Sequence, residues 1–70
     1  MSEHESLGTA LPAEMARVRD VVLPTYLAIP EGIFAATMMR HDLDLAAKAM
    51  IEGDLPAMIA AYQSLKEWQS

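Results

Sequence analysis

The middle of this 70-residue chain is apolar around most of a helical circumference, and this feature constrains the fold more than any other. If residues 31–52 form one helix, at about 100° per residue, their polar side chains fall within one narrow arc. That arc consists of Thr37, Arg40, His41, Asp44, Lys48 and Glu52, and Asp42 is the one outlier. A helix that is apolar over most of its remaining surface must be covered from two directions.

Two apolar sets lie on different sides of this middle helix. One set contains Met39, Leu43, Ala46 and Met50, and the other contains Phe34, Met38, Leu45 and Ala49. Because the chain offers only two further helices, we expect a second copy to cover one of the two sets. The predicted self-association residues are Phe34, Met38, Met39, Leu43, Leu45 and Met50. The pattern leaves open whether Phe34, Met38 and Leu45 or the opposite set forms the seam.

Amphipathic helices are predicted on both sides of the middle helix, over residues 12–29 and 55–68. The first has an apolar stripe of Leu11, Met15, Val18, Val22, Tyr26 and Ile29. Pro24 interrupts that stripe, and we expect a kink or break near residues 22–25 because proline removes one helical hydrogen bond. The last helix has an apolar face of Leu55, Met58, Ile59, Tyr62 and Leu65.

Proline and glycine set the boundaries between these helices. Ile29 precedes Pro30 and is therefore biased away from helical geometry, so a new helix is predicted to follow. Gly53 is suited to a left-handed helix end, Asp54 to capping the next helix, and Pro56 to its first turn.

Residues 53–62, preceded by Ala46, Ala47 and Ala49, resemble the hinge and second helix of one tetratricopeptide repeat. In that family, small residues let two antiparallel helices approach closely. The resemblance covers about a third of the chain, and no second copy of the pattern occurs in residues 1–43. It implies an antiparallel helical hairpin rather than a repeat array.

The fold class follows from these patterns and from a composition that is 53% hydrophobic with 6% aromatic residues and no cysteine. We predict an all-α, three-helix chain with a C-terminal antiparallel αα-hairpin that forms a helical bundle as a homodimer. Residues 1–10 are predicted to be a flexible arm, and residues 11–70 one helical domain. Small domains without disulfides often depend on self-association for stability.

Charge argues against two classes of partner. The net charge of −5 disfavours nucleic acid, and the predicted helix after Gly53 carries only Lys66 and Glu67 as charged residues. Membrane binding is not expected, because no apolar run approaches 20 residues and only five bases are present. The N-terminal stretch resembles neither a signal nor a transit peptide, so we expect a cytoplasmic protein.

His41 and Asp44 are the best candidates for metal ligands, since they lie three residues apart on one helical face. Two ligands per chain are too few alone, and no Glu-x-x-His motif is present. We therefore interpret the pair as part of a solvated polar stripe. His4 lies in the predicted arm and offers at most a weak site. We expect no cofactor and no enzymatic activity, because no catalytic constellation or glycine-rich phosphate loop is present.

The leading functional hypothesis is a non-enzymatic adaptor or inhibitor that acts as a homo-oligomer and docks an acidic helical surface on a larger protein. The alternative is a structural subunit that assembles only with itself. A metal-dependent enzyme with a site around His41 and Asp44 at the dimer seam is the weakest of the three. This style of small acidic sequence leads us to expect a bacterial or phage source.

Overall fold

A computed structural model describes residues 6–69. His4, the weak candidate for metal binding, and half of the predicted N-terminal arm lie outside these residues. The described chain is helical, without β-strands. It consists of α1 (Leu7–Arg17), a π-helical turn (Val18–Val22), α2 (Leu23–Leu27), a 3₁₀ turn (Pro30–Gly32), α3 (Ile33–Glu52) and α4 (Leu55–Lys66). Because α1 runs through the π turn into α2, the chain has three helical rods, as predicted.

The first rod begins earlier than the sequence pattern predicts. The backbone carbonyl of Ser6 accepts hydrogen bonds from Thr9 and Ala10, at 2.9 and 2.8 Å, and Leu7 packs against the core. Residues 7–10, assigned to the N-terminal arm from sequence, are therefore the first turn of α1. The rod ends at Leu27 rather than at residue 29, because Ile29 is extended before Pro30.

Pro24 does not break the first rod. The π turn lies just before it, and there the Leu23 N–H donates to the carbonyl of Val18, five residues earlier. Proline has no N–H for the carbonyl of Asp20 and crowds that carbonyl, and the wider turn takes up the distortion. The extra residue in the turn brings both Val22 and Leu23 into the core.

A close backbone contact fixes the start of the second rod. A Cβ atom on Gly32 would lie 2.1 Å from the carbonyl oxygen of Tyr26, so only glycine fits here. The Gly32 N–H donates to the carbonyl of Ile29 at 2.8 Å. The predicted boundary at Pro30 is thereby confirmed, although regular α-helix starts at Ile33.

The connection between α3 and α4 has the predicted left-handed glycine and the predicted helix cap. Gly53 is left-handed, with φ of 67°, and the Asp54 carboxylate accepts a hydrogen bond from the Ala57 N–H at 3.2 Å. The N–H groups of Gly53 and Asp54 donate to the carbonyls of Met50 and Ala49, which closes the helix end. A two-residue link between packed helices makes α3 and α4 an antiparallel hairpin.

The core is formed by all three rods, with α1 and α3 both packed on α4. Its buried members are Leu11, Val18, Val22, Leu23, Ala36, Met39, Ala46, Ala49, Met58, Ala61 and Leu65. All four of its alanines, Ala36, Ala46, Ala49 and Ala61, lie on the helices of the hairpin, where small side chains allow close approach. The predicted face of α4 is wrong at Leu55 and Ile59, which are exposed, because α4 turns the side bearing Ala61 inward.

Candidate functional site

The predicted self-association residues lie on two different sides of α3. Met39 is fully buried, and Leu43 and Met50 are half-buried against the core of the same chain. These three side chains are committed to the fold of one protomer. Phe34, Met38 and Leu45 instead remain exposed, by 76%, 42% and 48%. We call these three residues the outer face of α3.

The outer face is exposed because the first rod and α4 pack on other sides of α3, although α4 passes beside Leu45 and covers Ala49, which the sequence pattern grouped with Phe34. The buried positions of α3 are Ala36, Met39, Ala46 and Ala49, which lie towards α4 and the first rod. Phe34, Met38 and Leu45 are separated by four and seven residues, so they form one line along the helix. Exposed apolar side chains along one side of a helix are typical of a protein-binding surface, and here only His41 lies between Met38 and Leu45 on that side.

A shallow groove runs beside this line, between α3 and α4. It has a volume of about 180 Å³ and is lined by Asp42, Leu45, Ala57, Ala60, Ala61 and Ser64. The small side chains of α4 leave this space open, and Leu45 belongs both to the groove and to the outer face. We call it the α3–α4 groove. It is smaller than a typical small-molecule pocket, which occupies about 300–1,000 Å³.

His41 and Asp44, the predicted metal candidates, are both exposed on α3. Among residues 6–69, no three His, Asp or Glu side chains come together in a group that would hold a metal ion. Their positions are those of the solvated polar stripe proposed from the sequence.

Asp42, the outlier of the polar stripe, has a defined partner. Its carboxylate accepts a hydrogen bond of 2.8 Å from the indole N–H of Trp68. The Trp68 ring also packs edge-on against Tyr26, with centroids 6.2 Å apart. In the sequence, Asp42 stands out because it lies outside the polar arc of α3. Its partner Trp68 is 26 residues away, so helical periodicity does not identify that partner.

Arg17 joins the first rod to the end of α4. Its guanidinium donates to the backbone carbonyls of Leu65 and Trp68, at 3.1 and 2.9 Å, and to the Glu14 carboxylate at 2.8 Å. Carbonyls at a helix C-terminus lack partners within the helix, so a cation is favourable there. Arg17, Tyr26, Asp42 and Trp68 thus hold the chain end against the other rods.

The remaining ion pair of residues 6–69 lies on the π turn and is fully solvated. The Arg19 guanidinium donates to the Asp20 carboxylate at 2.8 Å. That hydrogen bond lowers the pKa of Asp20 and raises the pKa of Arg19. Because the pair is exposed and faces no cavity, its shifted pKa values do not mark a catalytic site.

Within residues 6–69, none of the helices combines the length and the hydrophobicity that a membrane-spanning segment needs. Comparisons with models of protein families, with curated protein sequences and with solved structures found no match to this chain.

Proposed function

We propose that this protein is a non-enzymatic protein–protein interaction module, an adaptor or inhibitor that acts as a homo-oligomer. The observation that carries this proposal is the outer face of α3, where Phe34, Met38 and Leu45 are exposed in one line. A phenylalanine that is 76% exposed gains little from the fold of its own chain. Covering it with another protein removes that apolar area from water, which favours association.

The rest of the described fold gives this surface a rigid support. Every buried side-chain polar atom of residues 6–69 has a hydrogen-bond partner, and α3 is closed by caps or turns at both ends. A rigid helix loses little conformational entropy on binding, so an apolar line on it is well suited to recognition. Catalysis has no comparable support, because His41 and Asp44 are exposed and gather no further ligands.

The acidic charge favours a basic surface on a larger partner. The net charge of −5 comes from ten acidic and five basic residues, and it would speed encounter with a positively charged protein. We place this activity in the cytoplasm, in keeping with the sequence-based expectation.

A matched pair of variants tests the outer face. Phe34→Ala removes its most exposed member, whereas Ile51→Ala removes a side chain that is 86% exposed elsewhere on α3. Phe34→Ala should weaken self-association by at least about tenfold in sedimentation equilibrium, since each dimer loses two buried rings. Ile51→Ala should leave the dissociation constant unchanged. Equal effects of the two variants, or no effect of either, would contradict the proposal.

A structural subunit that assembles only with itself is the second candidate, and the same exposed line supports it. Affinity capture with the tagged full chain separates the two candidates. An adaptor or inhibitor should retain a foreign protein in stoichiometric amount, and replacing exposed acidic residues by lysine should reduce that yield. A structural subunit should retain only untagged copies of itself.

A further inference from the structure

The outer face and the α3–α4 groove fit each other as a projection and a recess. Phe34 projects with 76% exposure, and the groove beside Leu45 has a volume of about 180 Å³ with alanine and serine along its far wall. This volume is below that of a typical small-molecule pocket. Both features lie on the same chain, which makes the surface self-complementary.

An antiparallel two-fold pairing of α3 would bring these two features together. Suppose that α3 packs antiparallel to its copy, with the axis passing between Met39 and Arg40. Each residue then faces the one equally far on the other side of that point. Phe34 faces the partner's Leu45, at the edge of the partner's groove. A two-fold interface of this kind uses the same patch twice and closes as a dimer.

Charge supports the antiparallel pairing over the parallel one. About the same axis, Glu31, in the 3₁₀ turn that precedes α3, would come opposite the partner's Lys48. Glu31 and Lys48 are exposed, and neither forms an ion pair among residues 6–69. A parallel pairing would instead place each Lys48 beside the partner's Lys48, and like charges in contact are unfavourable.

We propose that the occupant of the outer face is a second copy of this chain, docked antiparallel with Phe34 in the partner's α3–α4 groove. This inference rests on the self-association put forward under the proposed function, and adds its register and its complementary surface. Each dimer would cover two Phe34 side chains and would contain two Glu31–Lys48 ion pairs. The four helices of the two hairpins would then form one bundle.

Charge exchange tests the pairing. Glu31→Lys and Lys48→Glu each place like charges opposite one another, so each should raise the dimer dissociation constant by about threefold to tenfold at low salt. The double variant Glu31→Lys/Lys48→Glu restores opposite charges and should return the constant to that of the unmodified chain. Failure of the double variant to recover affinity would overturn the antiparallel register.

Cysteine crosslinking gives an independent test, because the natural chain has no cysteine. Glu31→Cys and Lys48→Cys chains should be joined by a short bis-maleimide reagent when they are mixed. Each variant alone should crosslink poorly, because identical positions lie far apart in an antiparallel pair. Efficient crosslinking of Lys48→Cys alone would indicate a parallel pair and overturn the inference.

Sedimentation and crosslinking together separate this inference from the proposed function. A chain that sediments as a dimer but gives no crosslink in the mixture pairs through another surface, which refutes the register alone. A chain that sediments as a monomer at all accessible concentrations refutes both the register and self-association.

Discussion

Trp68 donates its indole N–H to the carboxylate of Asp42 over 2.8 Å, and this bond joins the end of the chain to the middle of α3. The same indole contacts Tyr26 edge-on. The hydroxyl of Tyr26 in turn donates to the backbone carbonyl of Gln69 at 3.1 Å. The chain end is therefore an integral part of the fold, although it lies beyond the last helix.

Replacement of Asp42 by alanine should remove this contact. We expect a loss of about 1 kcal/mol in the free energy of unfolding, the usual size for a hydrogen bond of this kind. Trp68 is the only tryptophan, so its emission should shift to longer wavelength as the ring becomes more exposed. Thermal unfolding and fluorescence measure the two effects.

Asp44 provides the matched control, because it lies on the same helix but is exposed. Asp44→Ala, alone or with His41→Ala, should change stability by no more than about 0.5 kcal/mol. A large loss of stability or of a bound metal in the double variant would show that the polar stripe is a site.

Arg17→Lys should destabilise the protein, even though the charge is kept. A lysine ammonium does not reproduce the planar fork that reaches two carbonyls and the Glu14 carboxylate together. We expect a loss of about 1 kcal/mol or more in denaturant unfolding. Arg19→Lys affects only an exposed pair and should be nearly neutral. Equal stabilities of the two variants would argue against the role of Arg17 at the end of α4.

Replacing glycine by alanine should lower the free energy of unfolding at one position and raise it at another. Gly32→Ala forces a Cβ atom against the Tyr26 carbonyl and should cost about 1–3 kcal/mol in unfolding free energy. Gly8→Ala lies in α1, where the new Cβ meets, among residues 6–69, only the Ser6 hydroxyl at 3.5 Å. It should stabilise the chain by about 0.5 kcal/mol, since alanine favours the helix. Destabilisation by Gly8→Ala would mean that α1 does not begin at Leu7.

Local signals were sufficient to predict the helical boundaries at Pro30 and Gly53. Both boundaries depend on backbone geometry within a few residues, and Asp54 caps a helix that starts next to it. The start of α1 was missed because residues 7–10 contribute only Leu7 to the apolar stripe. The partners of Asp42 and Arg17 near the chain end lie 26 and 48 to 51 residues away in the sequence, so no local pattern identifies them.

The two apolar sets of α3 show likewise that a local pattern does not identify tertiary contacts. Periodicity identified both, but it does not say which set the chain covers by itself. In the folded chain the first rod and α4 cover Met39, and they leave Phe34 open. Met39→Ala should therefore cost about 2–5 kcal/mol, whereas Leu43→Ala, only half-buried, should cost less. Chemical denaturation of both variants tests this order.

Sedimentation equilibrium of the unmodified chain at micromolar concentration is the most direct test of self-association through α3. We expect a particle of twice the chain mass of 7.7 kDa, with a dissociation constant that Phe34→Ala raises by at least about tenfold. A single species of 7.7 kDa across the concentration range would contradict self-association and leave the outer face of α3 without the partner proposed for it.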